Sequence, residues 1–367
     1  MLGGGQLGRY ALMAAASMGY RTIVLDPDPS APAAVHANQH IVAAYDDADA
    51  LERLSSECDV ITTEFENPPA EALAALAAAT SVAPRSESVA IAQDRIKEKS
   101  FLVDNGFPVG PFVAIDGSDP QWATVSSTGG GVVKTARLGY DGKGQRRVGD
   151  LTELHAAVAD LGVRCVAESL LDLRCELSVL VARTADARVE TWPVAENMHV
   201  DGILDVSVVP ARVAPTLADR ATALATSIAE AMNYVGVLAV EMFIVSDANG
   251  EDKILVNELA PRPHNSGHWT LDASVTSQFE QQIRAVCGAG LADTSMTAPA
   301  VAMVNLLGEP TEPLWASVLA NPAATLHLYG KSEPRPGRKM GHVTVTGSTP
   351  DLAESKARQL RADLVDH

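Results

Sequence analysis

The sequence has little of what several classes of protein require. Four of its 367 residues are cysteine, and none of them has the CxxC spacing of a metal or redox pair. No apolar run approaches the roughly 20 residues of a membrane-spanning helix, and the start does not resemble a secretion signal. The formal net charge of −18 argues against a surface for nucleic acid or anionic lipid. These absences predict a cytoplasmic protein with reduced thiols and no nucleic-acid or membrane partner.

The chain is long enough for two or three domains, since single hydrophobic cores stop growing at about 250–300 residues. Hydrophobic residues make up 47% and charged residues 20%, as in an ordinary globular protein. Residues 1–90 alternate between strand and helix patterns, which is typical of a parallel sheet with crossover helices. Only Met1 and Leu2 precede the first glycines. The first strand is therefore expected to be very short, as in a chain that lacks the first few residues of its natural start.

A pair of glutamates lies in a predicted β-hairpin formed by residues 237–245 and 254–258. If Val245 pairs with Ile254, Glu241 lies directly opposite Glu258, with Cβ atoms roughly 5 Å apart. Two such carboxylates repel each other unless a cation lies between them, and oxygen ligands favour Mg²⁺ with phosphates as its other ligands. The alternative is a pair of solvated glutamates. The apolar residues around both positions favour the metal site.

A glycine-rich segment follows a short strand that ends in Lys134. Three of the six residues 139–144 are glycine, so the backbone can approach a phosphate chain closely and form an anion-binding nest. Lys134 would add a point charge. A simple hairpin turn is the alternative, and the Walker A pattern is absent. Together with the glutamate pair, the segment indicates a nucleoside triphosphate bound between a lid and a metal-binding sheet.

The N-terminus contains a second glycine pattern, Gly3-x-Gly5-x-x-Gly8, with Asp26 at the end of the next strand. This matches the dinucleotide-binding fingerprint and would suggest an NAD-dependent dehydrogenase. The N-terminus of a helix after such a turn can equally bind another phosphate. Because nothing downstream resembles a hydride-transfer site, phosphate binding without a dinucleotide is favoured.

Residues 256–270 concentrate polar side chains in one segment, VNELAPRPHNSGHWT. Its two prolines prevent it from continuing as a helix or a ladder strand. Polar groups on a loop that a rigid scaffold positions more often serve chemistry than packing. His268 and Trp269 are predicted to pack the loop, and Lys339 and His342 are predicted to lie in a solvated basic turn.

At this point the chain resembles the ATP-grasp superfamily and, within it, the 5-(carboxyamino)imidazole ribonucleotide synthases of purine biosynthesis. The resemblance runs along nearly the whole chain and is most specific at residues 257–270. Two departures from common ATP-grasp patterns are Ala260, where asparagine is frequent, and Lys143, where arginine is. The resemblance rests on five segments: Gly5 to Arg9, Glu64 to Asn67, Gly139 to Gln145, Asn257 to Thr270 and Gly337 to His342.

The resemblance implies a multidomain fold of the α/β and α+β classes. An N-terminal Rossmann-like domain with a parallel sheet is expected over residues 1–94. An ATP-grasp domain is expected over residues 95–290, with its lid at about 112–172, and a small β-rich domain over 291–367. The resemblance also implies a homodimer.

The implied activity is an ATP- and bicarbonate-dependent ligation. Bicarbonate attacks the γ-phosphate of ATP to give carboxyphosphate, and the amine of 5-aminoimidazole ribonucleotide then takes up the carboxyl group. ATP and Mg²⁺ (or Mn²⁺) are the implied cofactors. The alternatives are an ATP-grasp enzyme that uses formate on another ribonucleotide, an NAD-dependent dehydrogenase, and a binding module without catalysis.

The resemblance also assigns residues to roles. Glu241 and Glu258 would hold the metal, and Arg262 would bind bicarbonate and carboxyphosphate. His264, Asn265, Tyr140 and Asp141 would orient the imidazole and handle the proton of its amine. Gln6, Leu7, Glu66, Lys331 and Arg338 would bind the ribonucleotide, with Lys331 and Arg338 on its 5′-phosphate. The nucleotide site would comprise Arg95, Lys134, Gly139, Tyr140, Asp141, Gly142, Lys143, Gly144, Gln145, Glu168, Ser169, Leu170, Leu171, Glu176, His199, Asn257 and Glu258.

Overall fold

The first region of the fold is a small parallel sheet with helices around it. Leu2 forms parallel bridges to both Leu25 and Thr63, so it joins two strand pairs where the sequence predicted a very short first strand. The computed structural model describes residues 1–115, 122–126, 129–139, 141–247, 249–308 and 318–365, and the predicted site residue Tyr140 lies outside these ranges. The elements of this region are β1 (Ile23–Leu25), β2 (Gln39–Ile41), β3 (Val60–Ile61), β4 (Ser81–Val82), α1 (Gln6–Ser17), α2 (Ala48–Glu57), α3 (Ala70–Ala77) and α4 (Ser86–Ala92).

A four-stranded antiparallel sheet occupies the range predicted for the lid. Its strand order is β5-β8-β6-β7. The preceding helix begins at Arg95 because the carboxylate of Asp94 accepts the N–H groups of Ile96 and Lys97. That cap fixes where the first charged residue of the site projects. The elements are α5 (Arg95–Asp104), β5 (Phe112–Ile115), α6 (Trp122–Val125), β6 (Gly131–Thr135), β7 (Gln145–Val148), α7 (Leu151–Leu161) and β8 (Cys165–Ser169).

The remaining strands form one large antiparallel sheet. Its order is β14-β13-β9-β11-β12-β15-β17-β16, with β10 paired to β9. The C-terminal strands extend this sheet across the predicted domain boundary at residue 290, and α11 packs against them. Among the described residues, no helix has the length and apolar character to cross a membrane. The elements are β9 (Leu173–Arg183), β10 (Val189–Thr191), β11 (Ala195–Val200), β12 (Ile203–Val209), α8 (Pro215–Ala231), β13 (Gly236–Ser246), β14 (Asp252–Ala260), α9 (Thr270–Ala273), α10 (Gln278–Val286), β15 (Ala300–Leu307), β16 (Ala324–Leu328), β17 (Lys339–Gly347) and α11 (Pro350–Val365).

The β13–β14 hairpin pairs Glu241 with Glu258, as predicted, but through a different register. Val245 lies opposite Lys253, one residue away from its predicted partner. A β-bulge then shifts the register, which leaves Asn257 as the extra residue and restores the Glu241–Glu258 pair. The predicted constant register was therefore wrong. A bulge inserts one residue and re-aims the side chains beside it, and alternation of side chains in the sequence does not reveal it.

Candidate active site

A cavity of about 750 Å³ is lined by the lid sheet, the large sheet and the first residue of α5. Every predicted nucleotide-site residue that the structure describes lines this cavity. Glu241 and His264 line it as well, so both predicted metal ligands and two predicted acceptor residues, Asp141 and His264, meet the nucleotide residues in one space. Other residues predicted for the acceptor side are not among the described residues that line it: Gln6, Leu7, Glu66, Arg262, Asn265, Lys331 and Arg338. A smaller cavity of about 30 Å³ is lined by Glu66, Asn67, Arg95 and Glu258, of which the last two also line the large cavity.

Glu241, which is buried, and Glu258, whose side chain is 30% exposed, form a carboxylate pair with unequal partners. Arg95 Nη1 donates to Glu258 Oε2 at 2.8 Å, and His264 Nε2 lies 3.3 Å from Glu241 Oε1. Burial and the neighbouring Glu258 raise the pKa of Glu241. Burial also opposes ionisation of Glu258, but the Arg95 guanidinium holds its pKa below the usual range. Glu241 thus resists ionisation although the charges of His199 and Lys339 favour it, and a further cation beside the pair would lower its pKa.

The bulge residue Asn257 lines the same cavity and offers a further oxygen. Its Oδ1 is buried and has no hydrogen-bond partner among the described residues. An unsatisfied buried acceptor is costly, and a hard divalent cation binds carboxylate and amide oxygens. The donor set of Glu241, Glu258 and Asn257 therefore fits Mg²⁺ or Mn²⁺.

Two lysines form ion pairs with one buried carboxylate, that of Glu168. Glu168 receives Lys134 Nζ at 3.0 Å and Lys99 Nζ at 3.4 Å. Although burial opposes ionisation, Lys134, Lys99 and Arg95 lower the pKa of Glu168 to about 2. Burial in turn lowers the pKa of Lys134. Of the two lysines only Lys134 lines the cavity, so an anionic ligand entering there would meet one lysine that is already positioned.

Lys99 and Glu98 are residues that the sequence reasoning missed. Both are 1% exposed, and Glu98 Oε1 accepts the Leu259 N–H at 2.6 Å, next to Glu258. Burial raises the pKa of Glu98 to about 8. A usable signal was present, because Lys99 lies four residues after Arg95 and therefore on the same face of α5.

His199 lies beside Glu176 on neighbouring strands, where both were predicted to contact the nucleotide. The distance from His199 Nδ1 to Glu176 Oε2 is 2.9 Å. Burial opposes the charged imidazole, but Glu176 raises the pKa of His199 above its ordinary value.

The polar loop after β14 holds Arg262 and His264 close to the carboxylate pair. Arg262 forms an ion pair with Glu66 of the N-terminal region, and its Nη1 donates to the Pro263 carbonyl at 3.0 Å. Burial, followed by the charge of Arg262, lowers the pKa of His264 well below its ordinary value. The His264 imidazole is therefore neutral near pH 7 and offers one donor and one acceptor nitrogen.

Lys339 lines the cavity. The prediction that it lies in a solvated basic turn was therefore wrong. Its Nζ donates to Asp141 Oδ1 at 2.7 Å, and the Lys331 ammonium donates to the Lys339 carbonyl at 2.7 Å. Arg338 lies on the same turn and donates to the Glu333 carbonyl.

His342 was also predicted on the rim and is instead 0% exposed. It follows Lys339 on β17, whose residues 340–345 are all buried.

The N-terminal glycine turn does not present its N–H groups to a phosphate. Glu64 Oε1 accepts from the Gly5 N–H and Oε2 from the Gly8 N–H, both at 3.0 Å, while Asp26 accepts from Gly4 at 2.6 Å. The carboxylate of Glu64 occupies the helix N-terminus because Glu64 follows Thr63, which is bridged to Leu2 just before the glycine turn. This differs from the predicted free anion site, and it leaves no open place there for the pyrophosphate of NAD.

Gln6 and Leu7, predicted to contact the ribonucleotide, differ in position. The Gln6 amide lies 3.3 Å from His268 Nε2. The Leu7 side chain packs in the core of the N-terminal region, with 8% of its surface exposed. The Leu7 side chain is therefore part of the core, and a contact between it and a substrate is not expected.

Asn265 is held by a partner that the sequence did not reveal. It exchanges two amide hydrogen bonds with Asn305, at 3.0 and 2.7 Å, and it is not among the described residues that line the cavity. His268 and Trp269 are 0% and 1% exposed, as predicted for residues that pack the loop. Gln278 of α10 anchors the same loop by bonding the backbone of His264 on both sides, at 2.8 Å each.

We expect Gly267→Ala to destabilise the protein by about 1–3 kcal/mol, the range for overpacking a buried site. A Cβ at this position would lie 2.3 Å from Leu180 Cδ1 and 2.6 Å from Gln278 Oε1. Denaturant unfolding measures the loss. Gly149→Ala is the control, because its Cβ would meet only Glu153 Oε2 at an ordinary 3.5 Å. Equal stability of the two variants would contradict the packing described for the loop.

Three family models match successive parts of the chain. A ribonucleotide synthetase preATP-grasp domain matches residues 1–93, an ATP-grasp domain residues 100–279, and a phosphoribosylaminoimidazole carboxylase C-terminal domain residues 301–356.

Relatives match over nearly the full length. The chain is 45% identical to the N5-carboxyaminoimidazole ribonucleotide synthase of Brucella melitensis, over 94% of each chain. It is 42% identical to that of Bacillus subtilis, over 94% of this chain and 90% of the relative. The structure superposes with a TM-score of 0.89 on the N5-carboxyaminoimidazole synthase of Aspergillus clavatus in complex with ADP and 5-aminoimidazole ribonucleotide, at 30% identity, covering 100% of this chain and 97% of the other.

Proposed function

Because the chain belongs to the N5-carboxyaminoimidazole ribonucleotide synthase family, we propose that its central cavity joins ATP, bicarbonate and 5-aminoimidazole ribonucleotide in one reaction. The protein is an ATP-dependent ligase of purine biosynthesis. The observation that carries the assignment of the site is the meeting of Lys134, Asp141, Glu258 and His264 in a single cavity.

The first step transfers a phosphoryl group. A bicarbonate oxygen attacks the γ-phosphorus of ATP, the bond to the β,γ-bridging oxygen breaks, and carboxyphosphate and ADP result. Catalysis of such transfer consists of positioning and neutralisation of charge. Lys134 and the loop of residues 139–145 would hold the phosphates. Glu241, Glu258 and Asn257 would hold Mg²⁺ or Mn²⁺, which supplies charge neutralisation to the phosphates when it is bound.

The second step forms the carbon–nitrogen bond. The amine of the ribonucleotide attacks the carboxyl carbon, phosphate leaves, and the amine loses a proton. Arg262 suits the carboxyphosphate oxygens because a guanidinium can bind two of them at once. The ion pair with Glu66 fixes the position of the Arg262 side chain. Asp141, which Lys339 holds, and the neutral imidazole of His264 are the two described groups of the cavity proposed to accept the proton.

The ribonucleotide phosphate would bind to Lys331 and Arg338 on the β16–β17 turn. Burial, followed by the charges of Arg338 and Lys339, lowers the pKa of Lys331 to about 8. This cation is therefore protonated at neutral pH but loses its proton within the range in which the enzyme can be assayed.

We predict that KM for the ribonucleotide is constant below about pH 8 and rises above it. Lys331 is charged below its pKa, and its protonated fraction falls about tenfold for each pH unit above it. Steady-state kinetics between pH 7 and 9.5 test this. Lys331→Arg should flatten the rise, since arginine stays protonated, whereas Lys97→Arg on the exposed face of α5 should leave it unchanged. A KM profile that is the same in wild type and Lys331→Arg would exclude Lys331 as the phosphate ligand.

The function is tested by ADP release with each acid and acceptor in turn. We expect release that requires both bicarbonate and 5-aminoimidazole ribonucleotide, with the carboxylated ribonucleotide formed in equal amount. Formate in place of bicarbonate should give no stimulation. Stimulation by formate and another ribonucleotide would favour the transformylase alternative instead.

We also propose that the protein acts in the cytoplasm as a homodimer, which the family resemblance supports. Light scattering after size exclusion measures the assembly, and a mass of one chain would exclude the dimer.

A further inference from the structure

A second cluster of metal-ligating side chains lies outside the cavity. His327 of β16 and His342 of β17 are cross-strand partners, and their rings stack with centroids 4.5 Å apart. Asp272 lies in α9, which follows the polar loop, and both of its carboxylate oxygens are 3.0 Å from His327 Nε2. One ligand atom from each of the three residues lies within 4.8 Å of the other two.

The cluster contains an unsatisfied nitrogen. His342 is 0% exposed, and its Nε2 is buried without a hydrogen-bond partner among the residues that the structure describes. Its Nδ1 lies 2.9 Å from the Tyr329 hydroxyl. The tautomer that donates Nδ1–H to this oxygen leaves a lone pair on Nε2, and metal-ligating histidines usually donate their other N–H to such a partner.

We propose that Asp272, His327 and His342 bind a divalent transition ion of the Zn²⁺ class. Two imidazoles and one carboxylate are ligands that Zn²⁺ accepts, with water as a fourth, whereas Mg²⁺ prefers oxygen donors throughout. The Asp272 and His327 side chains retain 13% and 18% exposure, so an ion and its water can enter from one side.

The proposed ion would tie two parts of the active site together. Asp272 follows the loop that contains His264, and the β16–β17 hairpin bears Lys331 and Lys339. The ion would cross-link these segments without contacting the substrates. The role is structural and separate from that of the carboxylate pair, which uses oxygen ligands only.

Metal binding is tested on chelator-treated protein with Glu258→Gln as the background, which weakens the carboxylate pair as a competing site. Titration with Zn²⁺, followed by calorimetry, should show that one equivalent binds. Titration with Co²⁺ should give the same stoichiometry, and the visible absorption bands should have the high intensity of a Co²⁺ ion with few ligands. Asp272→Asn and His342→Asn in this background should weaken binding by at least about 100-fold, since even outer-shell partners are worth 10–100-fold.

His155→Asn, a change on the exposed face of α7, should leave binding as in the background protein. Asp272→Asn keeps the size of the side chain, and circular dichroism verifies that it folds. Unchanged affinity in folded Asp272→Asn would overturn the site, and so would the absence of any bound equivalent in the background protein. In either case the cluster would be a polar contact between the two segments and no metal site.

Discussion

A Glu258→Gln protein is expected to lose about 10²–10³-fold in kcat for bicarbonate-dependent ADP release, the effect of removing one preorganised charge-stabilising group. The amide has the shape of the carboxylate but carries no charge for a metal ion, and it leaves the half-buried Arg95 without its ion-pair partner at 2.8 Å. Steady-state assays at saturating Mg²⁺ measure the loss. Partial recovery with Mn²⁺ would be consistent with a weakened metal site.

The matched control for this variant is Glu251→Gln. Glu251 is exposed on the turn of the same β13–β14 hairpin, so its substitution removes an equal charge from the same element. Turnover of this control should equal that of the wild type. If Glu258→Gln retained kcat within a factor of about three, the glutamate pair would have no part in phosphoryl transfer.

Arg262→Lys is expected to lower kcat/KM by about 10²-fold, because lysine cannot reproduce a bidentate contact with two oxygens. The ammonium would keep the charge beside Glu66, so the fold should be preserved. If Arg262 holds carboxyphosphate, the intermediate should escape more often in the variant. ADP release should then exceed formation of the carboxylated ribonucleotide, whereas the two are equal in the wild type.

Arg284→Lys supplies the comparison for this change. Arg284 pairs with Glu280 on α10 at 2.8 Å, so the same exchange is made in an arginine–glutamate pair that has no proposed part in the reaction. This variant should remain fully coupled. A tightly coupled Arg262→Lys enzyme with normal kcat/KM would show that the carboxyphosphate oxygens bind elsewhere.

The sequence predicted much of the lining of the cavity, in part from local strand geometry and in larger part from the family resemblance. The pairing of Glu241 with Glu258 followed from a hairpin between two apolar strands. The bulge at Asn257 could not be predicted, since it depends on how β14 packs beside β13. The error in the closing pair and the omission of the bulge cancelled, so the predicted pair was correct although its register was not.

The contacts that sequence reasoning missed are those between distant segments. Glu64 reaches the Gly5 and Gly8 N–H groups across 59 and 56 residues, and Lys339 reaches Asp141 across 198. No spacing rule connects such positions. Lys339 was assigned to a solvated basic turn, whereas its partner Asp141 lies on the lid.

The most direct test of this account follows the oxygen atoms of bicarbonate. With [¹⁸O]bicarbonate, ATP and 5-aminoimidazole ribonucleotide, passage through carboxyphosphate transfers one labelled oxygen from bicarbonate to the phosphate that is released. We therefore predict one ¹⁸O in each phosphate by mass spectrometry, formed together with the carboxylated ribonucleotide. Phosphate that carries no label, with its fourth oxygen from water, would contradict the proposed chemistry of this site.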